Sequence, residues 1–378
     1  MNYYKRAVLD EFQSKLKPNK VLVLLGARRV GKTQLIKKYL ETTNESVLQL
    51  NGEDINNAQL LEERSVSNYS KLLQNVSILV IDEAQNITDI GLILKLIVDT
   101  IEGIKVIATG SSMFDLANKL GEPLVGRKNT LYLFSLAQIE FSQFENYKQT
   151  TEKLEERLLF GGYPEVTHYE TWNEKKEYLR EIVNSYLLKD ILIFDGIKNA
   201  DKIYDLLRLI AFQVGKEVSL QELGNQLNMS KNTVEKYLDL LSKVFIIFKV
   251  EGFSKNLRKE ITKSSRWYFY DNGIRNTIIN NFNDLKNRTD IGDLWENYLA
   301  SERMKKQQYQ KTYKQNYFWR TYDQQELDWL ETEAETIEAY EFKWNENRKS
   351  KIPTAFAKAY PDAIFTVINK QNYLDFIT

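Results

Sequence analysis

The sequence predicts an α/β chain: a parallel, phosphate-binding sheet first, then a helical region holding a helix-turn-helix with a strand pair, then a second α/β domain. Three observations carry this. Short apolar runs alternate with helix-like stretches over residues 1–150, the pattern of a parallel sheet covered on both faces. One run, Val21–Leu25, leads directly into Gly26–Thr33, GARRVGKT, and another ends in two adjacent carboxylates within Ile78–Gln85, ILVIDEAQ. After residue 287 the composition changes again and acids recur on strand-like segments.

Gly26–Thr33 fits GxxxxGK[ST] between a strand and a helix, the context in which that pattern binds a nucleoside triphosphate. Gly26 and Gly31 let the backbone curl so that successive amides of Ala27, Arg28, Arg29 and Val30 turn toward phosphate. The following helix, with Gln34 in its first turn, adds its positive end. Lys32 is expected on the β- and γ-phosphates and Thr33 on Mg²⁺. In ILVIDEAQ a buried strand delivers Asp82 to the Mg²⁺ shell and Glu83 to the attacking water. A further strand, Lys105–Thr109, ends in TGSS and offers Thr109 or Ser111 as a polar sensor. The remaining expected elements are strands Val47–Leu50 and Leu131–Phe134, helical stretches over Asn57–Leu73, and a helix near Ile90–Ile101.

Composition narrows the chemistry. The 378 residues suit two or three domains. Lys plus Arg equal Asp plus Glu at 52 each, so any nucleic-acid surface is a local patch. With no Cys, disulfides, thiolate nucleophiles and cysteine-held metals are excluded, and the single histidine, His168, excludes histidine triads and multi-histidine metal sites. The segment MNYYKRAVLDEF lacks the apolar core of a signal peptide, and no apolar run approaches a membrane span. A cytoplasmic protein without membrane partners is expected.

Residues 151–200 read as a helical lid or spacer broken by the turn GGYP, Gly161–Pro164. In 201–280, Val218–Asn228, the turn MSKN and Thr233–Val244 spell helix-turn-helix, with Ser230 as N-cap of the second helix. Strands Phe245–Val250 and Trp267–Tyr270 would form its wing. Lys249–Arg266 holds six basic residues against two acidic ones, among them Lys255, Arg258 and Lys259. Two readings stand side by side: a phosphate-contacting wing on DNA, and a solvated lysine-rich hairpin.

In 285–378 four residues stand out: Glu296 in a helix, Asp328 in QQELDWL, and Glu341 with Lys343 in YEFKW. If the turn between the two strands centres on Glu333 and Ala334, Asp328 lies opposite Ala339 and diagonal to Glu341, on one face. Two carboxylates beside a lysine, with a third acid on a preceding helix, make a phosphodiesterase-like arrangement. There Asp328 and Glu341 would bind Mg²⁺ or Mn²⁺, and Lys343 would position water or neutralise charge.

Together GARRVGKT, ILVIDEAQ, TGSS, LVGR at Leu124–Arg127, LFSLAQIEF at Leu133–Phe141 and GGYP resemble the motifs of prokaryotic AAA-type ATPases that join an ATPase domain to a winged helix and a C-terminal domain similar to the PD-(D/E)xK restriction-endonuclease-like fold. The resemblance implies a five-stranded AAA-like sheet. It also makes Arg127 a candidate arginine finger or sensor, the alternative being a structural salt bridge, and a finger acting in trans would require a homo-oligomer. It implies an ATP- and Mg²⁺-dependent enzyme controlling a DNA-binding, nuclease-like module in which Glu296, Asp328, Glu341 and Lys343 match the catalytic pattern. The competing reading is a nucleotide-switched regulator or scaffold that cuts nothing, and RNA is a further possible target.

Overall fold

The computed structural model describes residues 4–112, 123–187, 200–254, 265–321, 323–348 and 350–378. The chain divides into two compact units, Asn2–Phe134 with Lys243–Phe245, and Ser135–Ser242 with Ile246–Thr378. The expected regions 151–200, 201–280 and 285–378 fall inside the second of these, apart from Lys243–Phe245.

The first unit is built on five parallel strands, β1 Lys20–Leu25, β2 Val47–Asn51, β3 Ile78–Asp82, β4 Lys105–Gly110 and β5 Lys128–Tyr132, in the order β2-β3-β4-β1-β5. Strands β1 and β3 are apolar over nearly their whole length and buried because helices cover both faces, as a parallel sheet demands. All five run the same way, so the loops after β1, β3 and β4 meet at one edge. The helical stretches expected over Asn57–Leu73 are two helices, Ile55–Glu62 and Val66–Leu72. Asp54 caps the first and Ser65 the second by accepting backbone N–H groups, so the side chain of Ser65 restarts the helix. The last strand begins three residues earlier than expected, at Lys128.

In the second unit the helices Leu220–Leu227 and Lys231–Lys243 flank a tight turn. Asn228 ends the first in the left-handed region, and Ser230 accepts the Thr233 N–H at 3.1 Å, the N-cap read from sequence. The adjoining strands β6 Glu217–Val218, β7 Ile247–Gly252 and β8 Ser265–Phe269 pair antiparallel. They do not end a domain. Strand β7 pairs in parallel with β9 Gln315–Arg320, which continues into β10 Glu326–Glu333, β11 Thr336–Phe342 and β12 Ile364–Ile368, one seven-stranded sheet in the order β12-β11-β10-β9-β7-β8-β6. A core of Trp319, Leu327, Leu330, Ala339, Phe356 and Tyr360 seals its carboxy-terminal half.

The helix Ile291–Gln310 packs against β8 and β11 and organises this unit. Its Glu302 accepts the Gln138 N–H at 2.5 Å, anchoring the LFSLAQIEF motif, and its buried Tyr298 reaches the Gln138 side chain. The GGYP turn is held by Asp271, whose carboxylate accepts the Gly162 N–H at 2.8 Å. His168 is half-buried at the end of that turn.

The start of this long helix is fixed by Asp290. Arg288 chelates its carboxylate at 2.9 and 2.8 Å, and the Arg275 guanidinium donates to it at 2.5 Å. Burial alone would raise this carboxyl, but the two guanidiniums carry it down to about 2. Its stabilising contribution is therefore complete above the unfolded value near pH 4 and is lost as pH falls toward 2. Asp290→Ala strands two buried arginines and is expected to cost about 3–5 kcal/mol at pH 7. Urea unfolding at pH 7 checks the loss, and repeating it down to pH 3 should show the gap to wild type narrowing.

Candidate functional site

The fully buried β1 delivers the chain to Gly26 at the sheet edge. A Cβ at Gly26 would lie 2.0 Å from the Leu133 carbonyl oxygen, so only glycine lets the loop start against the segment after β5. Gly31, at φ +99°, turns the loop into the helix Lys32–Leu40, with Gln34 in its first turn as the sequence suggests. Within the loop Val30 is buried, Ala27 and Arg28 are half-buried, and Arg29 is exposed, as is Gln34 in the helix. Arg28 pairs with Glu53 at 3.5 Å. The Lys32 ammonium folds back onto the carbonyls of Gly26 and Ala27 at 2.8 and 3.0 Å, across the mouth of the loop.

Opposite the loop, the Thr33 hydroxyl donates to the Asp82 carboxylate at 2.8 Å, joining the two residues read as Mg²⁺ ligands. The Thr109 hydroxyl donates to the other Asp82 oxygen and accepts the Glu83 N–H at 3.0 Å. Glu83 takes a left-handed conformation at φ 49°, which turns it off the line of the strand. Its carboxylate accepts from Gln85 at 2.5 Å, and the same amide group reaches Ser111 at 3.3 Å. Thr109 thus holds the acids, and Ser111 lies next to the group that holds Glu83. Thr33, Asp82, Glu83 and Lys32 are brought together as expected, and this oxygen-rich cradle suits a triphosphate with a hard divalent cation.

The second cluster departs from expectation in detail. The β10–β11 register pairs Trp329 with Tyr340 and Glu333 with Thr336, so the turn centres on Ala334 and Glu335, and continuing the register puts Asp328 across from Glu341. The two-residue difference keeps both on the same face. A bulge in β10 between Leu327 and Leu330 carries Asp328 out of regular pairing with β9, and its carboxylate accepts the Phe342 N–H at 2.7 Å. Lys343 donates to Glu341 at 2.5 Å. Glu296 accepts the Tyr268 hydroxyl at 2.7 Å.

Between them lies Arg266 of β8, 3% exposed, with its guanidinium 3.5 Å from Glu296, 3.9 Å from Asp328 and 2.9 Å from Glu326. The Arg266 group also stacks over Phe318 at 4.6 Å. Burial and the neighbouring Glu341 push the Asp328 carboxyl up to about 7, against the pull of Arg266 and Lys343. Burial and Asp328 raise Glu296 well above the carboxylate range. Among the described residues no group of three or more His, Cys, Asp or Glu side chains is placed to hold a metal ion, so Glu296, Asp328 and Glu341 do not close on one point.

An AAA domain family model matches residues 18–142, and two models described as domains of unknown function match 151–285 and 291–374. The Walker-type ATPase of Pyrococcus abyssi superposes with a TM-score of 0.50 at 16% identity, covering 73% of this chain and 96% of that one. Residues 18–142 thus match an AAA domain and share the fold of that Walker-type ATPase. An uncharacterised protein of Methanocaldococcus jannaschii is 28% identical over 271 residues, 66% of this chain and 60% of that protein. One of Haemophilus influenzae is 25% identical over 284 residues, 68% of this chain and 69% of that protein. No helix among the described residues is long and apolar enough to cross a membrane.

In the ATPase domain Arg127 sits at the wrong end for a sensor of its own nucleotide. Its carbonyl accepts the Val21 N–H at the start of β1, about 16 Å of strand from Gly26. Its guanidinium pairs with Asp99 at 2.6 Å, which is the structural salt bridge. The basic residues Lys255, Arg258 and Lys259 lie outside the described residues. Arg266, counted with them as a phosphate-facing charge, is buried. Its i, i+2 spacing with Tyr268 on one strand face is the signal that could have separated it from its solvated neighbours. Arg6 lay outside every motif, and Gln85 closed ILVIDEAQ without a role of its own, so both were missed.

Arg266→Gln would leave Glu296 and Asp328 without their guanidinium. A loss of about 3–5 kcal/mol at pH 8 is expected. Asp328, raised to about 7, discharges by protonation as pH falls below that value, and the loss should shrink at pH 5. Thermal melts of Arg266→Gln and Arg266→Gln/Asp328→Asn at both pH values test this, the double variant recovering stability at pH 8.

Proposed function

We propose that the chain binds ATP with Mg²⁺ through Gly26–Thr33 and Asp82 and hydrolyses it, and that nucleotide state governs the carboxy-terminal module. The observation that carries this is the Thr33–Asp82–Thr109–Glu83 hydrogen-bonded array facing Lys32 across the loop. The loop amides and the start of the helix Lys32–Leu40 take the phosphates, and Lys32 exchanges its carbonyl partners for phosphate oxygens. Mg²⁺, held by Thr33 and Asp82, supplies neutralisation of the charge developing on the phosphates. Glu83, freed from Gln85, orients the attacking water and takes its proton.

Lys32→Ala is expected to abolish nucleotide binding. Glu83→Gln should keep binding while lowering kcat by roughly 100-fold or more. Phosphate release and equilibrium nucleotide binding measure the two, and full turnover by Glu83→Gln would remove that residue from its role.

We read the helix pair with β6, β7 and β8 as a winged helix, and helix Ile291–Gln310, β9–β11, helix Thr354–Ala359 and β12 as a restriction-endonuclease-like arrangement. Asp328 on its second strand, Glu341 on its third and Lys343 just past that strand's end support a nucleic-acid module acting on DNA. A second reading, a regulator that binds without cutting, is favoured by one observation: Arg266 places a buried cation 3.9 Å from Asp328, one of the two acids to which the nuclease reading assigns its metal. Incubating plasmid with Mg²⁺, with and without ATP, for wild type and Glu341→Ala separates them. Metal-dependent nicking lost in Glu341→Ala supports the nuclease, and intact plasmid throughout supports the regulator.

A further inference from the structure

We propose that Arg6 is a positioning residue of the nucleotide site, orienting the Gly31 amide toward phosphate. This rests on the ATP-binding reading above. Arg6 precedes the segment matched by the AAA domain model, which begins at residue 18. It lies just before the helix Leu9–Lys15 and is 4% exposed. One end of its guanidinium donates to the Val30 carbonyl inside the phosphate-binding loop at 2.6 Å, and the other donates to the Phe134 carbonyl at 2.7 Å.

These two acceptors are the walls of the loop. Val30 is its last residue before Gly31, and Phe134 follows Leu133, whose carbonyl oxygen packs against Gly26 and whose N–H is bound by the Leu25 carbonyl at 2.8 Å. A planar guanidinium with donors in a fixed fork sets the spacing of the two carbonyls in a way that a single ammonium does not. In the trans peptide joining Val30 to Gly31, the carbonyl and the next N–H point in opposite directions. Tying the Val30 oxygen to Arg6 therefore turns the Gly31 N–H to the side away from Arg6. Gly31 holds φ +99°, a conformation in which glycine has little intrinsic preference for one orientation, so the fork supplies the restraint. A Cβ at Gly31 would stand 3.5 Å from Arg6, so the guanidinium also places its charge directly behind this amide.

An amide oriented before binding contributes equally to the bound substrate and to the transition state. Its loss should raise the KM for ATP and leave kcat nearly unchanged. The experiment compares full-length wild type, Arg6→Ala, Arg6→Lys and Lys32→Ala by titration with a fluorescent ADP and by steady-state ATP hydrolysis, with circular dichroism as the check on folding. Expected are an ADP Kd and an ATP KM about tenfold higher in Arg6→Ala, with kcat within about threefold of wild type and a smaller rise in Arg6→Lys.

A folded Arg6→Ala protein with the wild-type Kd and KM, or one whose kcat falls at unchanged KM, overturns the proposal while leaving nucleotide binding intact. If the alanine variant does not fold, Arg6→Lys decides: a raised KM supports the positioning role and a wild-type KM overturns it. Wild type that binds ADP no better than Lys32→Ala defeats the nucleotide reading itself, and the role of Arg6 with it.

Discussion

The nucleotide site depends on a hydroxyl group. Because β4 lies between β1 and β3, Thr109 at its end stands beside Asp82 at the end of β3, donating to the carboxylate and accepting the Glu83 N–H. One small side chain thus fixes two adjacent acids in different orientations. Asp82 stays on the strand axis, bridged to Thr33, and Glu83 is turned off it into the left-handed region. A parallel order that placed β3 directly against β1 would bring Asp82 to the loop but would leave Glu83 without this support.

The acids of the second unit meet a different environment. Glu296, Asp328 and Glu341 face Arg266 and Lys343, three potential negative charges against two positive ones, and Asp328 is buried. Burial penalises each charge, and the imbalance leaves one carboxylate without a full counter-charge. The raised Asp328 and Glu296 are the consequence. At Asp82 the surroundings are open and the partners are hydroxyls, so the acid can exchange them for a cation without stranding a buried charge.

Much of the first unit was legible because its signals are local. Strand β1 must be apolar along its length to be buried on both faces, and Gly26, Gly31, Lys32 and Thr33 sit at spacings that only loop geometry explains. Where one of the helical stretches over Asn57–Leu73 ends and the next begins depends on Ser65 capping in preference to continuing, a choice that side-chain periodicity does not encode. The β10–β11 hairpin shows a finer limit: a two-residue change of register conserves every face, so the pattern that put Asp328 with Glu341 could not tell opposite from diagonal. Arg6 and Arg266 were illegible for a third reason. Each is a charge whose partners lie far away in sequence, Val30 and Phe134 for one, Glu296 and Asp328 for the other, and an isolated arginine reads as a solvated one.

The join between β7 and β9 gives Arg266 its consequence. Among the described residues Glu251 pairs with Tyr317 and Gly252 with Phe318 there, and the Phe253 N–H extends the ladder to the Phe318 carbonyl at 2.7 Å. Through this short seam β8, paired to β7, lies in the same sheet as the acids, and Arg266 reaches over Phe318 into the space between Glu296 and Asp328. Two cations cannot share that space in a buried setting without repulsion of several kcal/mol. A divalent ion at Asp328 would meet this guanidinium 3.9 Å away as a second cation, beside acids held by the Phe342 N–H and the Tyr268 hydroxyl. The short seam between β7 and β9 is therefore what lets a residue of β8 enter the charge balance of Glu296 and Asp328.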